Sequence, residues 1–421
     1  MANNFDSNFS RKLMKSFLDK FESERTITKN VDTQLFAGKF GGDTGDTIDV
    51  KRPTDYKTVR TANGDVSGET KSSIITGKAS AVVQDYFTAF VDYDEADEAI
   101  KMDQIDQLLA PMATRIVTDF ETDYAAFMMK NTALLSGTVG KGVKTWDDIA
   151  GFGAIMQSTG IPMDGQWCSA VNPFAQRSLA SDQRSLGGET GTMTANQRAT
   201  ITDNFAGMKV MTATTLASYV TGVGADRSGV VVGTPVATYV AAKDTMTQVI
   251  GVTGLAANLV VSAGESISVA ARSRLNLSTR LPMVDSDGAV VVFTGTITQS
   301  VTLDGSGAGN LTITGPAIFE ADGQYNTVSS AVAPGDILLL GGAESTIIQP
   351  SLFWHKQAFT CASVPIKKLH STDTLATTED GLQLRVSKGS NFLQNQNLVR
   401  VDFRPAYGVL NPFFAGQGYG V

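Results

Sequence analysis

The sequence predicts an α+β protein in which an all-β module is inserted into a domain that contains helices. Three observations support this class. Apolar residues recur every three or four positions from Met112 to Met128, which is the spacing of a helix. Short β-branched runs separated by turn residues fill residues 226–345, where no helical period persists. Residues 346–421 then return to the mixed pattern that precedes the module, so we expect the module to interrupt one larger domain.

The composition sets limits on the class of protein. The chain has 421 residues, enough for two or three domains with cores of their own. Its 41 glycines predict many turns, and its net charge of −8 argues against direct nucleic-acid binding, which needs clustered Lys and Arg. Cys168 and Cys361 are the only cysteines. We expect two buried thiols, with neither a disulfide framework nor a cysteine metal site.

Residues 1–47 are expected to form an N-terminal arm that starts with an amphipathic helix over residues 4–24. A helix of this length is marginal without a partner for its apolar stripe. The stripe either packs on the chain's own body or docks on another chain. The docking candidates fall every four residues: Phe5, Phe9, Leu13, Phe17 and Phe21. We find neither a signal-peptide layout nor a membrane-spanning apolar run, so no membrane association is expected.

Residues 48–92 predict a long two-stranded arm, because two extended runs flank the Gly-rich stretch TANGDVSGETKSS. Residues 51–78 carry six basic and three acidic side chains, a net charge of +3. An isolated hairpin is marginal in water, which favours contact with another element. The candidates for that contact are Lys57, Arg60 and Lys71.

Residues 93–133 are expected to be helical. A first helix has an acidic outer surface, since residues 92–106 sum to a charge of −6. Pro111 fits the first position of a second helix that runs to Lys130, with Glu121 on its polar side. We expect the acidic surface to meet the basic arm of a neighbouring chain; the alternative is two ordinary solvated faces. The acidic contact candidates are Asp94, Glu95, Asp97 and Glu98.

A further helix is predicted from Thr145 to Gly160. Thr145 with Asp148 three positions later forms a start like a capping box, and Gly160 is a stop signal. The segment QWCSAV then predicts a buried strand, and a helix that contains Phe174–Leu179 is expected to follow it.

The inserted module is expected to be a β barrel or sandwich with its own core. Apolar and polar residues alternate from Val290 to Gln299, between turn signals. Because an inserted domain needs chain ends that lie close together, we expect the ends to meet near Gly224 and Ser345. Three arginines are candidate contacts with neighbouring subunits, with plain solubility as the alternative: Arg272, Arg274 and Arg280.

The sequence contains no complete catalytic or cofactor motif. We find no G-x-S-x-G elbow, and Leu135 stands where a phosphate-binding loop ending at Gly140-Lys141 needs a glycine. His355 and His370 are the only histidines and lie in a region poor in carboxylates. The acidic residues of 92–106 match no calcium loop. We therefore predict a protein that is not an enzyme and takes no metal or cofactor.

Several strings occur along the chain in an order that resembles one known family. They are VDTQLFAG, TGDTIDVKRP, DVSGETK, IITGKA, RIVTDFET, AGE, APGD, KLH and PAY. Over nearly the whole chain they resemble the major coat proteins of P22-like tailed bacteriophages. The resemblance implies the HK97-type capsid fold with an inserted β-barrel domain. Residues 1–47 are then the N-arm, 48–92 the extended loop, 93–133 the peripheral domain with its spine helix, 134–225 and 346–421 the axial domain with the remaining core, and 226–345 the insertion domain.

The resemblance also implies a function. The subunit would assemble with itself into pentamers and hexamers, with a scaffolding protein and a portal protein, to form an icosahedral shell. That shell would enclose double-stranded DNA without binding it specifically, form in the host cytoplasm and become part of the virion. One alternative is an encapsulin-like nanocompartment subunit, although encapsulins usually lack an inserted β domain. The other is a β-rich surface adhesin, which should carry the export signal that we do not find.

Overall fold

The computed structural model of the protein describes residues 6–36, 39–40, 45–94, 105–185, 201–202, 204–370, 373–391 and 396–421. These residues fall into two compact units. The first comprises residues 1–48, 80–125 and 359–409, and the second comprises 49–79, 126–358 and 410–421. The α-helices among the described residues are α1 (Asp6–Glu24), α2 (Ile105–Lys130), α3 (Trp146–Thr159), α4 (Pro173–Ser185) and α5 (Tyr239–Ala242).

The strands are numbered in chain order. Before the module they are β1 (Thr47–Lys51), β2 (Lys78–Val83), β3 (Phe87–Asp94), β4 (Leu134–Ser136), β5 (Trp167–Val171), β6 (Lys209–Thr212) and β7 (Tyr219–Val220). Within it they are β8 (Ser228–Val232), β9 (Thr247–Thr253), β10 (Val260–Val261), β11 (Ser266–Ser273), β12 (Val292–Ile297), β13 (Val301–Thr302), β14 (Gly309–Thr314) and β15 (Ile337–Leu340). After it come β16 (Ile347–Ile348), β17 (Ser351–His355), β18 (Phe359–Ser363), β19 (Thr374–Thr377), β20 (Gln383–Asn391), β21 (Gln396–Phe403), β22 (Pro405–Val409) and β23 (Ala415–Gly418).

The first unit contains an antiparallel sheet in the order β19-β20-β21-β3. Aromatic rings from α1, α2 and β21 form the core beside it. The ring of Phe120 lies 6.2 Å from that of Phe21 and 4.8 Å from that of Phe403, measured between centroids. Each buried ring contributes roughly 1.5–3 kcal/mol, so this cluster holds both helices in the unit.

The second unit contains a five-stranded sheet in the order β4-β23-β17-β5-β6. Phe152 of α3 stacks on Phe353 of β17, with ring centroids 4.9 Å apart. The predicted start and stop of α3 are confirmed: Thr145 and Asp148 form a capping box, and Gly160 caps the end with φ 99°. The buried strand QWCSAV is confirmed as β5, and the helix after it as α4.

The module is a closed barrel, which is one of the two architectures that the sequence predicts. Its six strands are hydrogen-bonded in the order β11-β12-β14-β9-β8-β15. The interior is filled by buried aliphatic and aromatic side chains, among them Ile250, Val269, Phe293, Ile313 and Leu338. The α+β class with a closed β barrel is therefore confirmed.

The two ends of the module lie side by side. The backbone N–H of Ser345 donates to the carbonyl of Gly222 at 3.3 Å, and the N–H of Gly224 donates to the carboxylate of Glu344 at 2.8 Å. Directly outside these bonds β16 pairs with β7. The prediction that the ends meet near Gly224 and Ser345 is confirmed.

Two predictions for the region around the start of α2 are wrong. Tyr93 and Asp94 belong to a strand rather than a helix, because they pair with Asn397 and Gln396 of β21. Pairing with a distant strand here overrides the local helical pattern. Pro111 lies inside α2 rather than at the start of a helix. Its missing N–H removes one backbone hydrogen bond, but the preceding segment QLLA consists of good helix formers and the helix continues through it.

The arm has strands only at its base. β1 and β2 are neighbours in a sheet of order β1-β2-β22-β18, whereas residues 52–77 form no regular strand. The two predicted runs are therefore strands only in part: the first at Thr47–Lys51, and the second at Lys78–Val83 and Phe87–Asp94. The prediction of a long two-stranded arm is wrong, whereas the stretch TANGDVSGETKSS, which the sequence places between the runs, contains no strand, as expected.

Candidate assembly surfaces

Arg52 holds the base of the arm. Its backbone N–H donates to the carbonyl of Gly77 at 2.8 Å, and its side-chain Nε donates to the carbonyl of Lys78 at 3.0 Å. Nη1 also donates to the carbonyl of Leu410. Burial lowers the pKa of Arg52 from its ordinary value. The arrangement joins the end of β1 to the start of β2 at the base of the arm.

The three predicted basic contact residues of the arm are exposed: Lys57, Arg60 and Lys71. Nζ of Lys57 lies 3.1 Å from Oδ1 of Asp322 in the inserted module of the same chain. Both side chains are well exposed, so this pair is worth about 0–1 kcal/mol and leaves Lys57 able to exchange partners. The positive side of the arm is therefore accessible.

The acidic partners predicted for the arm fall mostly outside the described residues. Glu95, Asp97 and Glu98 lie outside the described ranges, as does most of the segment 92–106. The backbone of Asp94 is the last position of β3, opposite Gln396, and its side chain lies outside the description. Contact between this acidic segment and a neighbour's arm stays a prediction.

The apolar stripe of α1 packs inward where it is described. Phe17 and Phe21 are 0% and 1% exposed, and the ring of Phe21 lies 5.2 Å from that of Phe403. For these two residues the structure shows the first alternative, packing on the chain's own body. Phe5 and the side chains of Phe9 and Leu13 lie outside the described part of the chain.

Glu121 has a role that the sequence did not reveal. We predicted it on the polar side of α2, yet it is 1% exposed. Its Oε2 accepts a hydrogen bond from the N–H of Ile27 at 2.8 Å, and its Oε1 accepts one from the N–H of Thr28 at 3.0 Å and another from the Thr28 hydroxyl. The only signal was an acidic residue directly after the core residue Phe120. That position is ambiguous in a helical projection.

The three arginines proposed as contacts of the module all bind groups in their own chain. The prediction that Arg274 contacts a neighbouring subunit is wrong, because Arg274 is 2% exposed and donates to the carbonyls of Ala133 (2.8 Å) and Thr294 (2.6 Å). Burial lowers its pKa to about 10. Arg272 donates to both carboxylate oxygens of Asp336, each at 2.6 Å, and Arg280 pairs with Asp55 of the arm. A long polar side chain in a β-rich sequence does not by itself show which way it points.

The groups able to do chemistry are dispersed and embedded. Burial raises the pKa of the Cys168 thiol to about 11 and that of the Cys361 thiol still further, which favours the protonated form of both. Nε2 of the buried His355 lies 3.1 Å from Oδ2 of Asp164, as a structural pair. Within the described ranges no three His, Cys, Asp or Glu side chains are grouped to hold a metal ion. The described helices also include none long and apolar enough to cross a membrane.

The described residues therefore show an exposed basic arm, a closed barrel and reactive groups that lie apart from one another. Comparison with known proteins gives the family. The chain matches the family described as "P22 coat protein - gene protein 5" over residues 1–420. It is also 32% identical over 424 residues to the "Major capsid protein" of Acyrthosiphon pisum secondary endosymbiont phage 1, covering all of both chains. The chain therefore belongs to the P22 coat protein family.

The comparison with solved structures also gives phage proteins to which the chain is similar at low identity. One is from Mycobacterium phage Che8, with a TM-score of 0.46 and 11% identity over 93% of this chain and 90% of that chain. Another is the capsid structure of the cyanophage P-SCSP1u, with a TM-score of 0.41 and 10% identity over 90% of this chain and 84% of that one.

Proposed function

We propose that this chain, a phage major capsid protein by its family, assembles into the icosahedral shell that encloses the double-stranded DNA of a tailed phage. The observation that carries the proposal is the family match over residues 1–420, together with a relative that is similar from end to end. A scaffolding protein and a portal protein are the partners that the resemblance implies. The subunit acts as a structural component of the virion rather than as an enzyme.

We propose the HK97-type arrangement for the subunit. Residues 1–47 serve as the N-arm, 48–92 as the extended loop, 93–133 as the peripheral domain with α2 as its spine, 134–225 and 346–421 as the axial domain, and 226–345 as the insertion domain. The closed barrel and its adjoining ends support the insertion. The length of α2, 26 residues or about 39 Å, supports its role as the spine.

The basic arm supplies the contact that we propose between subunits. Lys57, Arg60 and Lys71 of one copy lie over the acidic segment 92–106 of the next. The support is the net charge of +3 on residues 51–78 against −6 on that segment. Single exposed ion pairs are weak, so the contact gains strength by repetition at each subunit interface.

A scaffolding protein is needed because weak contacts between many copies can close at several radii. We place its docking site near α1. Phe17 and Phe21 are buried, whereas Lys15, Asp19 and Lys20 are exposed, so the polar side of α1 is the part available to it.

Electron microscopy of the purified subunit, with and without the scaffolding protein of the same phage, tests the proposal. We expect closed shells of uniform size with the scaffold and irregular particles without it. Uniform monomers under both conditions would contradict the proposal and favour the adhesin. Regular shells that form without scaffold and enclose protein cargo would favour the encapsulin-like compartment.

A further inference from the structure

We infer that the inserted barrel carries a seat for the arm of its own chain, and that this seat sets the direction of the arm before subunits meet. The seat consists of Tyr239, Arg280, Asp322, Gln324 and Tyr325. Its effect on the free subunit is independent of the proposed function. Its effect on assembly rests on that function.

Gln324 joins the two sides of the arm. Its Nε2 donates to the carbonyl of Asp55 and to the carbonyl of Ser73, each at 2.7 Å. These carbonyls belong to the outgoing and returning segments of the arm. Nearby, the N–H of Lys57 donates to the hydroxyl of Ser72 at 3.0 Å. The amide side chain of Gln324 thus connects the two segments of the arm where no backbone strand pairing connects them.

Tyr325 forms a second bridge between the same segments. Its hydroxyl accepts from the N–H of Asp55 and donates to the carbonyl of Ile75, both at 3.3 Å. The ring is 7% exposed and stacks on Tyr239 with centroids 3.7 Å apart and planes 9° from parallel. Because the stack restrains the ring, the hydroxyl is presented to the arm in a defined position.

Two ion pairs complete the seat. Arg280 pairs with Asp55, and its Nη1 also donates to the carbonyl of Asn326 at 2.7 Å, which orients the guanidinium. Asp322 pairs with Lys57 at 3.1 Å. Arg280 and Asp322 both have a φ of 56°, in the left-handed region that side chains rarely adopt. Both residues place their charged groups against charged groups of the arm.

Beyond the seat the arm is exposed. Arg60 has an exposed side chain, and Val66 at the tip is 54% exposed. The seat therefore restrains the lower part of the arm and leaves the tip free to contact a partner. A restrained arm loses less conformational entropy when it binds, which favours association at every subunit contact. The module thus favours assembly by restraining the arm of its own chain.

Hydrogen exchange of the unassembled subunit, followed by mass spectrometry of peptides from residues 53–77, tests the inference. Tyr325→Phe keeps the ring stack and removes only the hydroxyl, and Arg280→Ala removes the ion pair. We expect each variant to raise exchange in these peptides by about tenfold while barrel peptides stay protected. Arg272→Ala is the matched control, because its partner Asp336 lies within the module.

Exchange of the two charges gives a second, independent test. Arg280→Asp should loosen the arm through repulsion of Asp55, and the double variant Arg280→Asp with Asp55→Arg should restore protection. Unchanged exchange in the Tyr325→Phe and Arg280→Ala variants, or no recovery in the double variant, would overturn the inference. These readings come from the monomer, so they stand whether or not shells form. Slower assembly of the loosened variants is then a separate microscopy result.

Discussion

The carboxylate of Glu121 holds the backbone at Thr28, accepting both its N–H at 3.0 Å and its side-chain hydroxyl. The same carboxylate accepts the N–H of Ile27, so the turn after α1 is hydrogen-bonded to the middle of α2 within the first unit. A buried carboxylate with three donors is a specific constraint, because no apolar residue can replace it without leaving two backbone donors unpaired.

Glu121→Ala should therefore destabilise the first unit by about 2–4 kcal/mol. Urea unfolding of the unassembled subunit, followed by hydrogen exchange at residues 25–30, measures the effect. Asp119→Ala is the control on the same helix, since Asp119 is 43% exposed and pairs with the exposed Arg115. Equal losses of stability in both variants would contradict the role of Glu121.

Arg274→Ala should cost about 3 kcal/mol in the second unit. The change removes the Arg274 donor from the carbonyls of Ala133 and Thr294, although the carbonyl of Ala133 keeps the Thr294 hydroxyl at 3.1 Å, and it removes a side chain packed beside the rings of Phe293 and Phe413. Thermal and urea unfolding measure the loss. Arg115→Ala removes an arginine that is 74% exposed and should change stability by less than about 0.5 kcal/mol.

Stability should fall as the pH rises above about 9. Burial raises the pKa of Cys168 to about 11, from an ordinary value of 9.0. Between these values the unfolded chain loses the thiol proton while the folded chain keeps it, so the folded state binds more protons and unfolding becomes easier. At about 1.4 kcal/mol per pKa unit, this thiol alone accounts for roughly 2–3 kcal/mol by pH 11.

Urea unfolding at pH 7, 9 and 10.5 under reducing conditions checks the pH dependence. Cys168→Ala should reduce the loss of stability at high pH without abolishing it, because burial also raises the pKa of Tyr219 to about 12. Thiol reagents should modify Cys168 only as the protein unfolds. Fast modification of the folded subunit at pH 8 would contradict the assignment.

The barrel should fold without the rest of the chain. Residues 221–346 contain the closed barrel, its apolar interior and the hydrogen bonds between its ends. We expect the excised segment to melt cooperatively with a β-type circular dichroism spectrum, at a lower temperature than in the whole subunit because Arg274 loses its partner at Ala133. A chain without amide protection would show that the fold of the barrel depends on the surrounding unit.

Reversal of charge on the arm should block assembly. Arg60→Glu with Lys71→Glu leaves the fold intact, because both side chains are exposed, and makes the arm repel the acidic segment 92–106. Sedimentation and microscopy should show folded monomers in place of shells. Arg60→Lys with Lys71→Arg keeps the charge and should assemble normally. Normal shells from the charge-reversed variant would refute the contact.

The sequence by itself determined the elements whose cause is local. The cap at Thr145 and the stop at Gly160 were correct because capping bonds join residues close along the chain. The all-β module was recognisable because alternating apolar residues need only a strand and a face to bury, whereas the choice of a barrel over a sandwich came from the structure. The meeting of the module's ends near Gly224 and Ser345 followed from the requirement that an inserted domain has adjacent ends.

The tertiary structure alone decided the features whose partners are distant along the chain. Asp94 became part of a strand because Gln396 lies opposite it, and no pattern around Asp94 contains that information. Glu121 and Arg274 are charged residues that are buried because each forms hydrogen bonds with backbone groups of a segment that is distant along the chain. A periodic pattern shows that a residue is apolar or polar. Only the fold supplies the hydrogen-bond partner that makes the burial of a charge favourable.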